Sequence, residues 1–160
     1  MEITIDQALQ KAIEAHKAGQ VQDADRLYTA ILKAQPKHPD ANHNLGVLAV
    51  SVGKLQEALP FFKTALEANP SIAQFWLSYI DALIKLDRNA DAMAVLDQAK
   101  INGAQGDGFN KLEQHLVERG KDQEPPQDQL SSLIELYNQG RLQRVYDQAQ
   151  KLTKWYSKSL

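Results

Sequence analysis

NHNLGVLAVSVGKLQEALPFFKTALEANP, residues Asn42 to Pro70, is the stretch that decides the fold. It sets Leu45 and Gly46 side by side, then Gly53, Ala58, Phe62 and Pro70, and it holds no obvious nucleophile or phosphate binder. Sliding the chain against itself by 34 residues accounts for these intervals. Gly19 falls on Gly53, Ala24 on Ala58 and Ala58 on Ala92, while Tyr28, Phe62 and Leu96 align and Pro36 falls on Pro70. The turns read AGQVQDA, VGKLQEA and LDRNADA. A fixed period of this length marks a repeat architecture, here three units at about 5–38, 39–72 and 73–106.

Each unit has the apolar spacing of two helices. In the second, Leu45, Leu48 and Val52 recur at three and four, as do Ala58, Phe61, Phe62 and Ala65. Gly53 stands where the first helix must end in a left-handed turn, and Pro70 ends the second because it lacks an N–H and disfavours helix before it. Each helix spans about 14 residues, or about 21 Å. Thr4–Gln7 and Ser71–Gln74 have the form of capping boxes, and Pro39 suits a first turn. Pro60 lies one turn inside a second helix, where a slight bend is expected.

Beyond residue 106 the stretch GAQGDG reads as a loop, followed by a seventh helix at 107–119 with Phe109, Leu112 and Leu116 on one side, covering the end of the stack. KDQEPPQ reads as a linker, 120–126, because Pro125 and Pro126 prevent helix. The turn pattern then returns as QGRLQRV, so a fourth helical pair at 127–160 restarts out of phase. A lone hairpin buries too little to stand alone. It must dock back on the array, pair with another molecule or belong to a longer protein, and the break at YSKSL, where a further unit would begin, suits the last case. The residues expected to serve self-association are Leu133, Leu136, Val145, Leu152, Trp155 and Tyr156.

Composition narrows the function classes. The 160 residues are 43% hydrophobic and 24% charged, as a soluble folded domain requires, and the net charge of −2 gives no pull toward nucleic acid or anionic lipid. Without cysteine there are no disulfides or thiolate metal sites, which fits a cytoplasmic location. The N-terminus has no apolar signal core and no run approaches a membrane span. GAQGDG does not match a phosphate-binding loop, His38 and His43 lack further metal ligands, and no Ser, His and Asp set has catalytic spacing. The basic residues around Tyr146, Trp155 and Tyr156 make a weak nucleic-acid footprint. No catalysis, cofactor or metal is expected.

Residues 4 to about 106 resemble the tetratricopeptide repeat family, whose pattern runs W-x2-L-G-x2-Y, A-x3-F and P. The second unit matches it with Leu45, Gly46, Ala58, Phe62 and Pro70, the third with Trp76, Ala92 and Leu96, and the first with Ala12, Ala24, Tyr28 and Pro36. Ile80 departs from the small position and should splay the third pair slightly. The resemblance implies an all-α fold, a right-handed superhelix or α-α solenoid whose first helices line a concave face. Its geometry assigns to that face Leu9, Ile13, His16, His43, Asn44, Val47, Val50, Leu77, Ser78, Asp81 and Ile84.

Such an apolar wall with a few polar points suits an extended peptide or an amphipathic helix. The rival reading fills it with the chain's own seventh or later helix. Some family members grip a C-terminal carboxylate with a basic clamp; of the matching positions Leu9, Ile13, Asn44, Gln74 and Ser78 only Asn44 suits, so the clamp is absent. The expected role is a non-catalytic protein-interaction scaffold. Two alternatives stay open. The N-terminal and 130–152 stretches are similar to the repeats that bacterial proteins carry ahead of a sulfotransferase or O-linked sugar transferase domain, which would make this chain a substrate-presenting or dimerising arm. A purely structural oligomerisation module is the third reading.

Overall fold

The structure, a computed structural model, describes residues 3–121 and 127–156. The described residues form nine helices: α1 (Ile5–Lys17), α2 (Val21–Ala34), α3 (Pro39–Ser51), α4 (Leu55–Ala68), α5 (Ala73–Lys85), α6 (Asn89–Ile101), α7 (Asp107–Lys121), α8 (Gln127–Asn138) and α9 (Leu142–Tyr156). Two compact units divide the chain, one ending at Leu116 and one beginning at Val117. Linker residues 122–126 and the last four residues lie outside the described part.

The helix boundaries follow from local chemistry. Thr4 and Gln7 form the expected capping box, with bonds of 3.0 and 3.2 Å between each backbone N–H and the other's side chain. Pro39 occupies the first turn of α3, where His38 caps the helix by accepting from Ala41 N–H through Nδ1 at 3.3 Å. The expected capping box at Ser71 does not form. Asn69 Oδ1 instead accepts from both the N–H and the hydroxyl of Ser71, and α5 starts later, with Ile72 at its N-cap. This side-chain turn outcompetes the cap because Asn bonds the backbone two residues on. α4 runs unbroken through Pro60.

The inter-helix turns require left-handed backbone. Gly19, Gly53 and Gly140 meet this at φ of +72°, +80° and +70°, and in the third unit Asp87 takes the same place at +56°.

In the first two units a small residue on the first helix is matched by an aromatic on the second. Ala12, Ala24 and Tyr28 are wholly buried, as are Ile80, Ala92 and Leu96. In the second unit the pair is Gly46 and Phe62, and a Cβ added at 46 would stand 2.7 Å from the Phe62 ring. In the third unit the larger Ile80 stands where Gly46 does, and the smaller Leu96 stands where Phe62 does. The volume swap keeps Ile80 in a closed core.

Neighbouring units are also stitched by polar groups. Asn42 Nδ2 donates to Pro36 O at 3.0 Å, and Trp76 Nε1 donates to Pro70 O at 2.7 Å. Two unlike side chains, each six residues after a repeat proline, thus satisfy that proline's carbonyl in the loop between units. α3 is apolar on several sides because it is shared: Ala41, Leu45 and Leu48 pack with α1 and α2, while Val47, Ala49 and Val50 pack toward α4 and α5. The start of α7 closes this unit, burying Phe109 and Leu116 against the same core as α5 and α6, with Lys100 paired to Glu113.

In the compact unit that begins at Val117, α8 and α9 form a hairpin in which Leu130, Leu133, Leu136, Val145 and Ala149 are half-buried.

Candidate interaction surface

The first helices α1, α3 and α5 stand side by side, as a repeat stack requires, and they carry the row that the sequence assigns to the concave face. Leu9, Ile13, His16, Asn44, Val47, Val50, Leu77, Ser78 and Asp81 are all half-buried, packed at their bases and open at their tips. Two of the expected residues behave otherwise. Ile84 is buried in the core, and so is His43, at 8% exposure. His43 therefore ties the helices together where free groove liners were expected.

Its ring stacks on Phe75 with centroids 4.6 Å apart, leans on Phe62 at 5.8 Å, and its Nε2 meets Ser78 Oγ at 3.0 Å. Ser78 Oγ also accepts from Gln74 Nε2 at 3.2 Å. Burial pushes the imidazole below its ordinary value of 6.5, against smaller opposing effects of Asn44 and the Asp40 charge. His43 and Ser78 thus form a neutral link between α3 and α5. Asp81 is paired with Lys85 at 2.7 Å, one turn along the same helix. His16 packs edge-on to Tyr28, whose buried hydroxyl is pushed up to about 12. The face that results is apolar at Leu9, Ile13, Val47 and Val50, with uncharged polar groups at Asn44, Gln74 and Ser78. It has the chemistry of a van der Waals and hydrogen-bonding surface.

At the third unit the face is partly taken. Gly108, at the start of α7, lies so close that a Cβ there would touch the Leu77 methyls at 3.3 Å. The rest of the row, on α1 and α3, is farther along the stack.

A second concavity was not legible in the sequence. Between α2 and α4 lies a cleft of about 600 Å³ floored by Leu45, Leu48, Ala49, Val52 and Phe61, with Asp25 and Glu57 on its rim. It arises from the spacing of neighbouring units, which no single unit's pattern encodes. The local signals are Val21 and Val52, apolar residues of the lining left 37% and 46% exposed.

Two models of the tetratricopeptide repeat match in succession, over residues 9–71 and 49–107, and together they span more than half of the chain. The chain belongs to the tetratricopeptide repeat family. The helical pairs of its first unit are accordingly an all-α right-handed superhelix of such repeats. Among curated proteins no relative matches. Among solved structures, the repeat domain of Arabidopsis OM64 superposes with a TM-score of 0.65 at 19% identity, covering 72% of this chain and 95% of that one. The TPR2B domain of yeast Sti1, solved in complex with pHsp70, gives 0.63 at 20% identity, covering 75% and 98%. An O-GlcNAc transferase mutant of Thermobaculum terrenum gives 0.56 at 23% identity, over 64% of this chain and 20% of that protein. These likenesses are of fold. Among the described residues no helix is long and apolar enough to cross a membrane.

Proposed function

We propose that this chain is a non-catalytic scaffold whose concave face holds a peptide or an amphipathic helix. One observation carries the reading: Leu9, Ile13, Val47 and Val50 form a half-open apolar row on neighbouring helices, beside uncharged hydrogen-bonding groups at Asn44, Gln74 and Ser78. Such a row favours an apolar ligand face, with the polar groups fixing register. The Sti1 repeat domain, complexed with pHsp70, is a precedent for partner binding by this fold. The present chain differs in the chemistry it offers, because Leu9, Ile13, Gln74 and Ser78 stand at positions that a carboxylate clamp fills with basic and amide groups. Its ligand is therefore an apolar segment within a chain and not a charged C-terminus.

A helical hairpin with apolar surface beyond its own needs supports self-association through α8 and α9 as the second part of this function. The arm of a larger transferase remains the alternative, favoured by the fold-level likeness to an O-GlcNAc transferase that is much longer than this chain.

The groove reading is tested with Val47→Arg and Asn44→Arg, both half-exposed positions. The probe is a panel of synthetic amphipathic helices, against which binding is measured by fluorescence anisotropy. Binding to the native chain that falls at least tenfold in the variants, with helicity unchanged, supports the groove. Equal binding rejects it.

A further inference from the structure

The sequence pattern assigns Leu133, Leu136 and Val145 to self-association, but these side chains are half-buried within the hairpin. The side chains of Leu152, Trp155 and Tyr156 lie outside the described residues. A different set faces outward: Ile134 and Tyr137 on α8, Leu142 and Tyr146 on α9, exposed by 61%, 64%, 62% and 59%. Each pair is spaced three or four apart, so each helix carries an apolar stripe beside the one that closes the hairpin.

The four expose roughly 500 Å² of mainly apolar surface, at about 200 Å² for a complete side chain of this size. Apolar exposure of this amount is enough for the centre of an interface of about 800 Å² per partner.

The charges around the stripe are divided between the helices. α8 carries Asp128 and Glu135 and no cation, whereas α9 carries Arg144, Lys151 and Lys154 against Asp147, with Arg141 just before it. Glu135, Asp147, Arg141 and Arg144 form no ion pair among the described residues. Glu135 and Asp147 receive only neutral amides, from Gln139 at 3.2 Å and Gln143 at 3.1 Å.

We propose that a second copy of this chain covers this stripe, with α8 of each copy lying against α9 of the other about a twofold axis. A twofold arrangement brings the acidic helix onto the basic one twice and buries the same four side chains from both partners. Stacking α8 on α8 would oppose like charges. The inference rests on the self-association reading and names its face and partner.

The full chain is examined by sedimentation equilibrium through the micromolar range. Tyr137→Glu and Tyr146→Glu should each weaken the dimer at least about tenfold. Glu135→Lys and Arg144→Glu should each weaken it as well, and the double variant should recover most of the loss, a result that general loss of folding cannot give. Val47→Arg, on the concave face, should leave the dimer intact. A monomer throughout the range overturns both self-association and this face. A dimer indifferent to all four substitutions overturns the face alone. Helix binding by the groove, measured on the same variants, is independent of either outcome.

Discussion

Phe62 fills the space that a side chain at residue 46 would need: its ring carbons lie 2.7 and 2.9 Å from where a Cβ on Gly46 would stand. Phe62 is 1% exposed, so the ring cannot swing into solvent. The ring also lies against His43 and Tyr79.

Gly46→Ala should therefore destabilise the chain, although alanine favours helix by about 1 kcal/mol over glycine. Overpacking costs about 1–3 kcal/mol and outweighs that gain. Adding Phe62→Leu should recover much of the loss by freeing the crossing, as the Ile80 and Leu96 pair does in the third unit. Urea denaturation of both singles and the double measures the coupling; strictly additive effects would show that the two sites do not compete for space.

Tyr28 is wholly buried and its hydroxyl has no hydrogen-bond partner among the described residues. The aromatic ring earns its position by filling the slot that Phe62 fills one unit later, while the hydroxyl loses its water without compensation. Tyr28→Phe should raise the unfolding free energy by about 1 kcal/mol. A lower melting temperature for this variant would contradict the orphaned hydroxyl.

His43 makes stability depend on pH. Burial holds its folded-state value below 6.5, so the unfolded chain takes up a proton first as the solution is acidified. Stability contributed at neutral pH is then lost progressively from about pH 6.5 downward, until the folded imidazole is itself protonated. His43→Gln should reduce that slope between pH 7 and 5, whatever its effect at pH 7. Parallel stability curves for the two proteins would remove His43 from the account.

Asp87 occupies the left-handed turn position that Gly19, Gly53 and Gly140 fill elsewhere, at φ of +56°. A side chain there costs about 1 kcal/mol relative to glycine, somewhat less for Asp, which tolerates the conformation best. Asp87→Gly should consequently stabilise the α5–α6 turn by up to about 1 kcal/mol, read as a higher urea midpoint at unchanged slope. An unchanged or lower midpoint would mean that Asp87's own interactions outweigh its backbone strain.

The periodic residues made the repeat legible. Gly53, Ala58, Phe62 and Pro70 recur because each meets a local demand: a left-handed turn, a close crossing, a filled gap, a stopped helix. Local demands are written at fixed spacing, and they fixed the helices and their pairing. The site was harder to read. The pattern assigned a row on the first helices to the concave face, but it could not tell that His43 turns inward onto Phe75, since a helical position states a direction and not what waits there. Asn69 diverted the expected Ser71 cap by a bond that competes locally and leaves no periodic trace.

The chain's own order of residues thus determined that helices form, where they stop and that they pair in units of fixed length. Tertiary packing alone decided which side chains are spent on that stacking and which remain free. His43 and Leu133 were drawn into contacts, whereas Ile134, Tyr137, Leu142 and Tyr146 were left in water. The reason is geometric: a helix has more apolar stripe than one neighbour can cover, and only the arrangement of the neighbours selects the part that stays exposed.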